Sequence, residues 1–157
     1  MQTRAVSGFS LVEVALALGV AAICLVAIFS LLPIGLQTSH RAIEQTVSAD
    51  ILSELIADLR ATPVTSPRGN AATSIQLGIP IPAAGSTGAT TLFFNSARQS
   101  ATSQQSDSRY RVTITFLPNG GGAKSATFAD LKVTWPAAAA ITNAQGSAET
   151  FAAFDRN

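Results

Sequence analysis

From Val14 to Ser39 the chain carries no charged residue, and this run constrains the fold more than any other feature. Its apolar body, "VALALGVAAICLVAIFSLLPIGL" from Val14 to Leu36, is interrupted only by Ser30, Gly19, Gly35 and Pro33. A helix needs about 20 apolar residues to cross the roughly 30 Å hydrocarbon layer of a bilayer, and the run meets that length. A cleaved secretory signal also starts with a basic residue near the N-terminus, here Arg4. Its apolar core, however, is only about 7 to 15 residues and ends in polar sequence. The longer run, followed by a continuing helical pattern, predicts a span retained in the mature protein. One residue at its edge does not suit lipid: a carboxylate at membrane depth costs about 2 kcal/mol or more, so Glu13 calls for a partner.

Beyond Leu36 the pattern turns amphipathic. Ile43, Val47, Ile51, Leu55 and Leu59 recur at every fourth position with Leu52 and Ile56 beside them, while Arg41, Glu44, Asp50, Glu54, Asp58 and Arg60 take the other faces. That spacing predicts one apolar stripe laid on a core. Pro63 ends the helix, because it has no N–H to give and pushes Thr62 out of the α region. A helix from about Phe9 to about Ala61 would be on the order of 80 Å long. Pro33 removes one backbone hydrogen bond from its interior, which predicts a bend or a division into two segments, with Gly35 easing local melting.

The rest of the chain is long enough for one modest domain and no second core. With 10 Lys and Arg against 9 Asp and Glu, the net charge of +1 gives no ground for binding nucleic acid. Cys24 is the only cysteine and lies inside the apolar run, so no intramolecular disulfide can staple an exported domain. From Val64 to Gln105 the composition shifts to Ser, Thr, Gly, Pro and Ala, a loop-rich stretch with one or two short strands expected among its apolar pieces, Ser74–Pro82 and Thr90–Asn95. In "SRYRVTITFLP", Ser108 to Pro118, Tyr110, Val112, Ile114 and Phe116 alternate with Arg109, Arg111, Thr113 and Thr115. This period of two marks a strand with one buried face. After the glycine-rich "PNGGGAK" the alternation restarts through Leu131, Val133 and Trp135, which predicts an antiparallel hairpin. The tail from Ala137 reads as a helix, or as a loop leading to an edge strand at Thr150 to Phe154.

The stretch "GFSLVEV" resembles the processing motif of type IV pilins and type II secretion pseudopilins. It has a glycine closing a short leader (Gly8), an aromatic first mature residue (Phe9) and glutamate fifth in the mature chain (Glu13). The resemblance covers Ser7 to about Ala61. Further on, "LKVTWPAAAAITN" resembles minor pilin-like proteins of the Verru_Chthon cassette group. The family resemblance implies an α+β, pilin-like fold in which a long N-terminal helix packs on a small antiparallel sheet. It divides the chain into a leader (1–8), a transmembrane half-helix (9–36), an amphipathic half-helix (37–62) and an exported β-rich domain (63–157). It also implies that an inner-membrane prepilin peptidase cuts between Gly8 and Phe9 and methylates the new amino terminus. The expected product is a single-pass bacterial inner-membrane protein with a cytoplasmic N-terminus and periplasmic domain, assembling with other pilin or pseudopilin subunits into a filament. Pro33 lies a few residues beyond the helix-bending proline of many family members. Cleavage would place a cation on Phe9, and a neighbouring subunit's Glu13 could meet it in an apolar core, where an ion pair is screened far less than in water.

Other candidates carry less chemistry. His40 has no second histidine and no cysteine outside the span, so no metal site is expected. Asp107, Asp130, Glu149 and Asp155 form no calcium-loop pattern. Arg109 and Arg111 are expected on a solvated strand face, and Trp135 is expected to close the core. No catalytic Ser/His/Asp or Cys/His set is visible, so neither an enzyme nor a cofactor is expected. The competing reading is a signal-anchored envelope protein whose small β domain binds a ligand or partner.

Overall fold

The computed structural model describes residues 8, 10–62, 72–82, 86–118 and 126–154. They form one long helix and a five-stranded antiparallel sheet, an α+β layout. The chain divides into two compact units between Ile43 and Glu44.

Helix α1 runs from Leu11 to Ala61 as one element, with Pro33 inside it rather than between two segments. It opens where the Ser10 carbonyl accepts the N–H groups of Glu13 and Val14 at 3.0 and 3.2 Å. In the first unit every described residue is exposed, and large apolar side chains stand on all sides of the helix rather than on one stripe. A helix apolar all round is either buried or a membrane span, and α1 is long and apolar enough to cross a bilayer. Two hydroxyls that would be orphaned in lipid are satisfied locally, with Ser30 Oγ donating to the Ala27 carbonyl and Thr38 Oγ1 to that of Ile34. At the far end Thr62 Oγ1 donates to the Asp58 carbonyl at 2.7 Å, occupying one of the acceptors a terminating helix leaves free.

In the second unit the strands are β1 (Gly88–Asn95), β2 (Ser100–Ala101), β3 (Ser108–Leu117), β4 (Thr127–Trp135) and β5 (Gly146–Phe154), in the order β2-β1-β3-β4-β5. The expected hairpin is β3 and β4, with Val112 opposite Val133 and Ile114 opposite Leu131; the residues of its turn, 119–125, lie outside the described ones. Alternation places Tyr110, Val112, Ile114 and Phe116 on the core face, against Ile51, Leu52, Leu55 and Leu59 of α1. The stripe is shorter than its sequence pattern: Val47 is partly buried, and Ile43 is exposed and outside the core.

Two segments settle what the sequence left open. Ser74–Pro82 is not a strand; it turns at 75–77 and makes a single bridge between Thr73 and Pro80. Gly78, Pro80 and Pro82 interrupt any ladder, and its apolar pieces are used one at a time, Ile79 and Ile81 being buried. The tail forms an edge strand four residues longer at its start than expected, because Ala148, Thr150 and Ala152 supply the core-face alternation with side chains too small to register as a hydrophobic pattern. Gly146 begins it where Trp135 leaves no room for a side chain: a Cβ there would lie 2.3 Å from the indole Cζ2.

Candidate functional site

The residues singled out by sequence fall at the start of α1. Gly8 is exposed, and a Cβ added to it would meet nothing within 4 Å, so the fold itself makes no steric demand for glycine there. Phe9 lies outside the described residues. Glu13 stands in the first helical turn, where four backbone N–H groups lack intrahelical partners and a carboxylate is favoured by about 0.3–1 kcal/mol. It is solvent-exposed in the isolated chain, with an apolar helix surface directly after it. This end can therefore hold one negative charge at the head of an otherwise uncharged helix, and can receive a cation there. Pro33 lies in mid-helix, and Cys24 is an exposed free thiol on the same apolar segment.

In the second unit Arg109 is exposed on its strand face as expected and Arg111 is half-buried there, and both also have partners. Arg109 Nη2 donates to Glu44 Oε1 on α1, an ion pair that raises the guanidinium's affinity for its proton. Arg111 donates to the Ala137 carbonyl and sits over the Phe93 ring, 5.7 Å from its centroid. Strand alternation points these arginines away from the core but cannot show that a helix residue and a following loop curl over to meet them. Trp135 is buried as expected and packs edge-to-face on Tyr110, with ring centroids 6.3 Å apart.

Asp58 was expected on a solvent face and is instead buried. Its Oδ1 and Oδ2 accept the backbone N–H groups of Gln76 and Leu77, each at 3.0 Å, tying the 75–77 turn to α1. A signal for this was present: Ile51, Leu55, Asp58 and Thr62 follow spacings of four, three and four, so the carboxylate lies in line with the stripe. Ser48 is buried on the same surface, its hydroxyl donating to the Gln45 carbonyl.

The remaining acids are dispersed. Asp107 Oδ2 accepts from Asn95 Nδ2 at 3.0 Å, and Glu149 pairs with Lys132 at 3.0 Å. Asp130 has one carboxyl oxygen shut from solvent without a hydrogen-bond partner. Burial, reinforced by the Glu149 charge and opposed by Lys132, pushes its pKa above the ordinary carboxylate value. His40 is exposed on α1, and Asp155 lies outside the described residues. Among the described residues no three His, Cys, Asp or Glu side chains converge.

No protein-family model matches the chain, and no curated protein or solved structure is similar enough to count as a match. Any functional reading therefore rests on the chain's own residues.

Proposed function

We propose that this chain is a structural subunit, a minor pilin or pseudopilin, of a type IV pilus or type II secretion-like filament. It is cut by a prepilin peptidase between Gly8 and Phe9, held in the inner membrane by α1, and assembled through that helix. The observation that carries the proposal is Glu13, a carboxylate in the first turn of a helix whose following surface is apolar on every side. A plain anchor has no use for a charge at that place, whereas packed helices that each bring an amine at Phe9 have one. A lone carboxylate in lipid is expensive, and a paired one sets register between neighbours. Pro33 then marks the place where the helix bends or melts on packing, since the missing N–H makes that turn the weakest.

Processing is the direct test. Co-expression with a prepilin peptidase should shorten the chain by residues Met1 to Gly8, removing Arg4 and lowering the formal charge from +1 by one to 0. Intact-mass measurement reads the product. A chain that keeps Met1 beside an active peptidase, or one cut beyond Leu36, contradicts the proposal; the first outcome leaves the signal-anchored envelope protein as the reading.

A further inference from the structure

One end of the sheet is the end at which α1 enters the second unit. An ion pair marks it: Arg109, near the start of β3, donates to Glu44, the first residue of the unit. A loop leaves the sheet at the same end. Residues 136–145, "PAAAAITNAQ", hold no charged side chain. They are pinned at both ends, the Ala137 N–H donating to the Arg109 carbonyl at 2.8 Å and the Gln145 N–H to the Trp135 carbonyl at 2.8 Å. Between the pins Ala138, Ala140 and Ile141 are exposed, and Ile141, which opens a short 3₁₀ helix, is 50% exposed. Apolar side chains therefore face outward from a loop whose two ends are fixed.

The distance from this end to lipid is set along the helix. The apolar run closes at Leu36, and Glu44 is eight residues further along the same unbroken helix, a rise of about 12 Å. For a helix crossing a bilayer, the headgroup layer takes up about 5–8 Å of that rise, leaving a gap short enough for a loop side chain and an arginine to close. Charge does not oppose the approach, since Glu44 is met by Arg109 and Asp50 by Arg98. The Arg109 side chain is still 51% exposed, and its guanidinium has more N–H donors than the Glu44 contact uses. Such donors suit phosphate oxygens.

We propose that the loop 136–145 and Arg109 form a lipid-contact surface, by which the unit rests on the phospholipid headgroups of the bilayer that α1 spans. Ile141 enters the headgroup layer and Arg109 donates to phosphate. Lipid is the occupant because the chain anchors it alongside: over a tether of eight residues, a contact too weak to hold a free domain acts at a high effective concentration. The inference rests on α1 being the membrane span, and it goes beyond the filament reading by giving the unit a resting contact outside the filament, one that assembly must release.

The test uses the full-length chain in vesicles of phosphatidylethanolamine and phosphatidylglycerol, with one environment-sensitive fluorophore on cysteine and with lipids carrying a nitroxide quencher at the headgroup or at mid-chain. In a Cys24→Ser background the label is placed on Ile141→Cys or, at the opposite end of the sheet, on Ala153→Cys, which is also exposed. The parent chain, labelled on Cys24 in detergent before reconstitution, reports the span. The headgroup quencher should dim the Ile141→Cys label several-fold more than the Ala153→Cys label, and the mid-chain quencher should dim Cys24. With the label on Thr142→Cys, adding Ile141→Asp should lower headgroup quenching several-fold. Exchanging the ion pair, Arg109→Glu with Glu44→Arg, keeps the clasp while making its exposed member acidic, and should lower that quenching too. Equal quenching at the two ends, with Cys24 quenched at depth, would overturn the lipid contact and leave the span standing. An unquenched Cys24 would remove the span and the filament reading with it. Protection of the Ile141→Cys label that disappears as protein is diluted into lipid would show a second copy covering the loop and overturn the proposal, as would indifference to Ile141→Asp. Indifference to the exchanged pair would overturn the role of Arg109.

Discussion

Asp58 shows how much one side chain can decide. It accepts two backbone N–H groups of a largely exposed turn, at 3.0 Å each, while its own side chain is buried. Asp58→Ala should therefore destabilise the second unit by about 1–3 kcal/mol, from the loss of two charge-assisted bonds whose donors water can partly satisfy, whereas Asp58→Asn retains part of this. Urea unfolding in detergent micelles, followed by fluorescence of the single tryptophan, Trp135, reads the difference. A change below about 0.5 kcal/mol, as at an ordinary surface site, would contradict the role. Asp130 has the opposite sign. Its folded pKa is raised, so its ionised form is penalised in the fold; the penalty is full above that raised value and gone below the ordinary unfolded value of about 3.9. Asp130→Asn should accordingly stabilise the chain at neutral pH, and the gain should vanish near pH 3, at about one unit below that value. Glu149 and Lys132 face the same carboxyl, and a gain that persists unchanged in acid would mean that charge is not its origin. Neither role was readable as such: burial of Asp58 depends on a turn eighteen and nineteen positions away, and that of Asp130 on neighbours brought in by β5.

At the scale of elements the legible parts were those whose pattern repeats. The apolar run, the β3 and β4 alternation and the end of the helix before Pro63 could be read because each is a local rule applied several times. The length of β5 was hidden because alanines fill its core face, and Ser74–Pro82 could not be typed because apolar residues near prolines serve a turn as readily as a strand. The stripe of α1 was legible in direction but not in extent, since the helix continues before its core begins. That gives a paired prediction. Leu55 is fully buried, and Leu55→Ala should cost about 2–5 kcal/mol. Ile43 is 59% exposed, and Ile43→Ala should change the stability of the folded unit by no more than about 0.5 kcal/mol. Comparable losses in the same urea titrations would place Ile43 in the core and refute the described start of the stripe.

For the whole molecule, the arrangement supporting the proposed role is a helix apolar on every side joined in sequence to a unit with its own apolar core, the only acid on the apolar segment standing at its head. The candidate site was legible as residue types in register, Gly8, Phe9 and Glu13, while the partner proposed for Glu13 would lie on another copy and cannot be seen in a single chain. The most direct measurement is the amount of Glu13→Leu subunit in sheared filaments relative to the membrane fraction, scored beside wild type and Gly8→Ala. Removing the charge should leave insertion intact or improved and cleavage unaffected, while Gly8→Ala, which strains nothing in the fold, should remain uncut. A broken pair in an apolar core costs on the order of 3–5 kcal/mol, so incorporation of Glu13→Leu should fall by about a hundredfold or more. Equal incorporation of Glu13→Leu and wild type would contradict the claim that this carboxylate pairs with a neighbour's amine to build the filament.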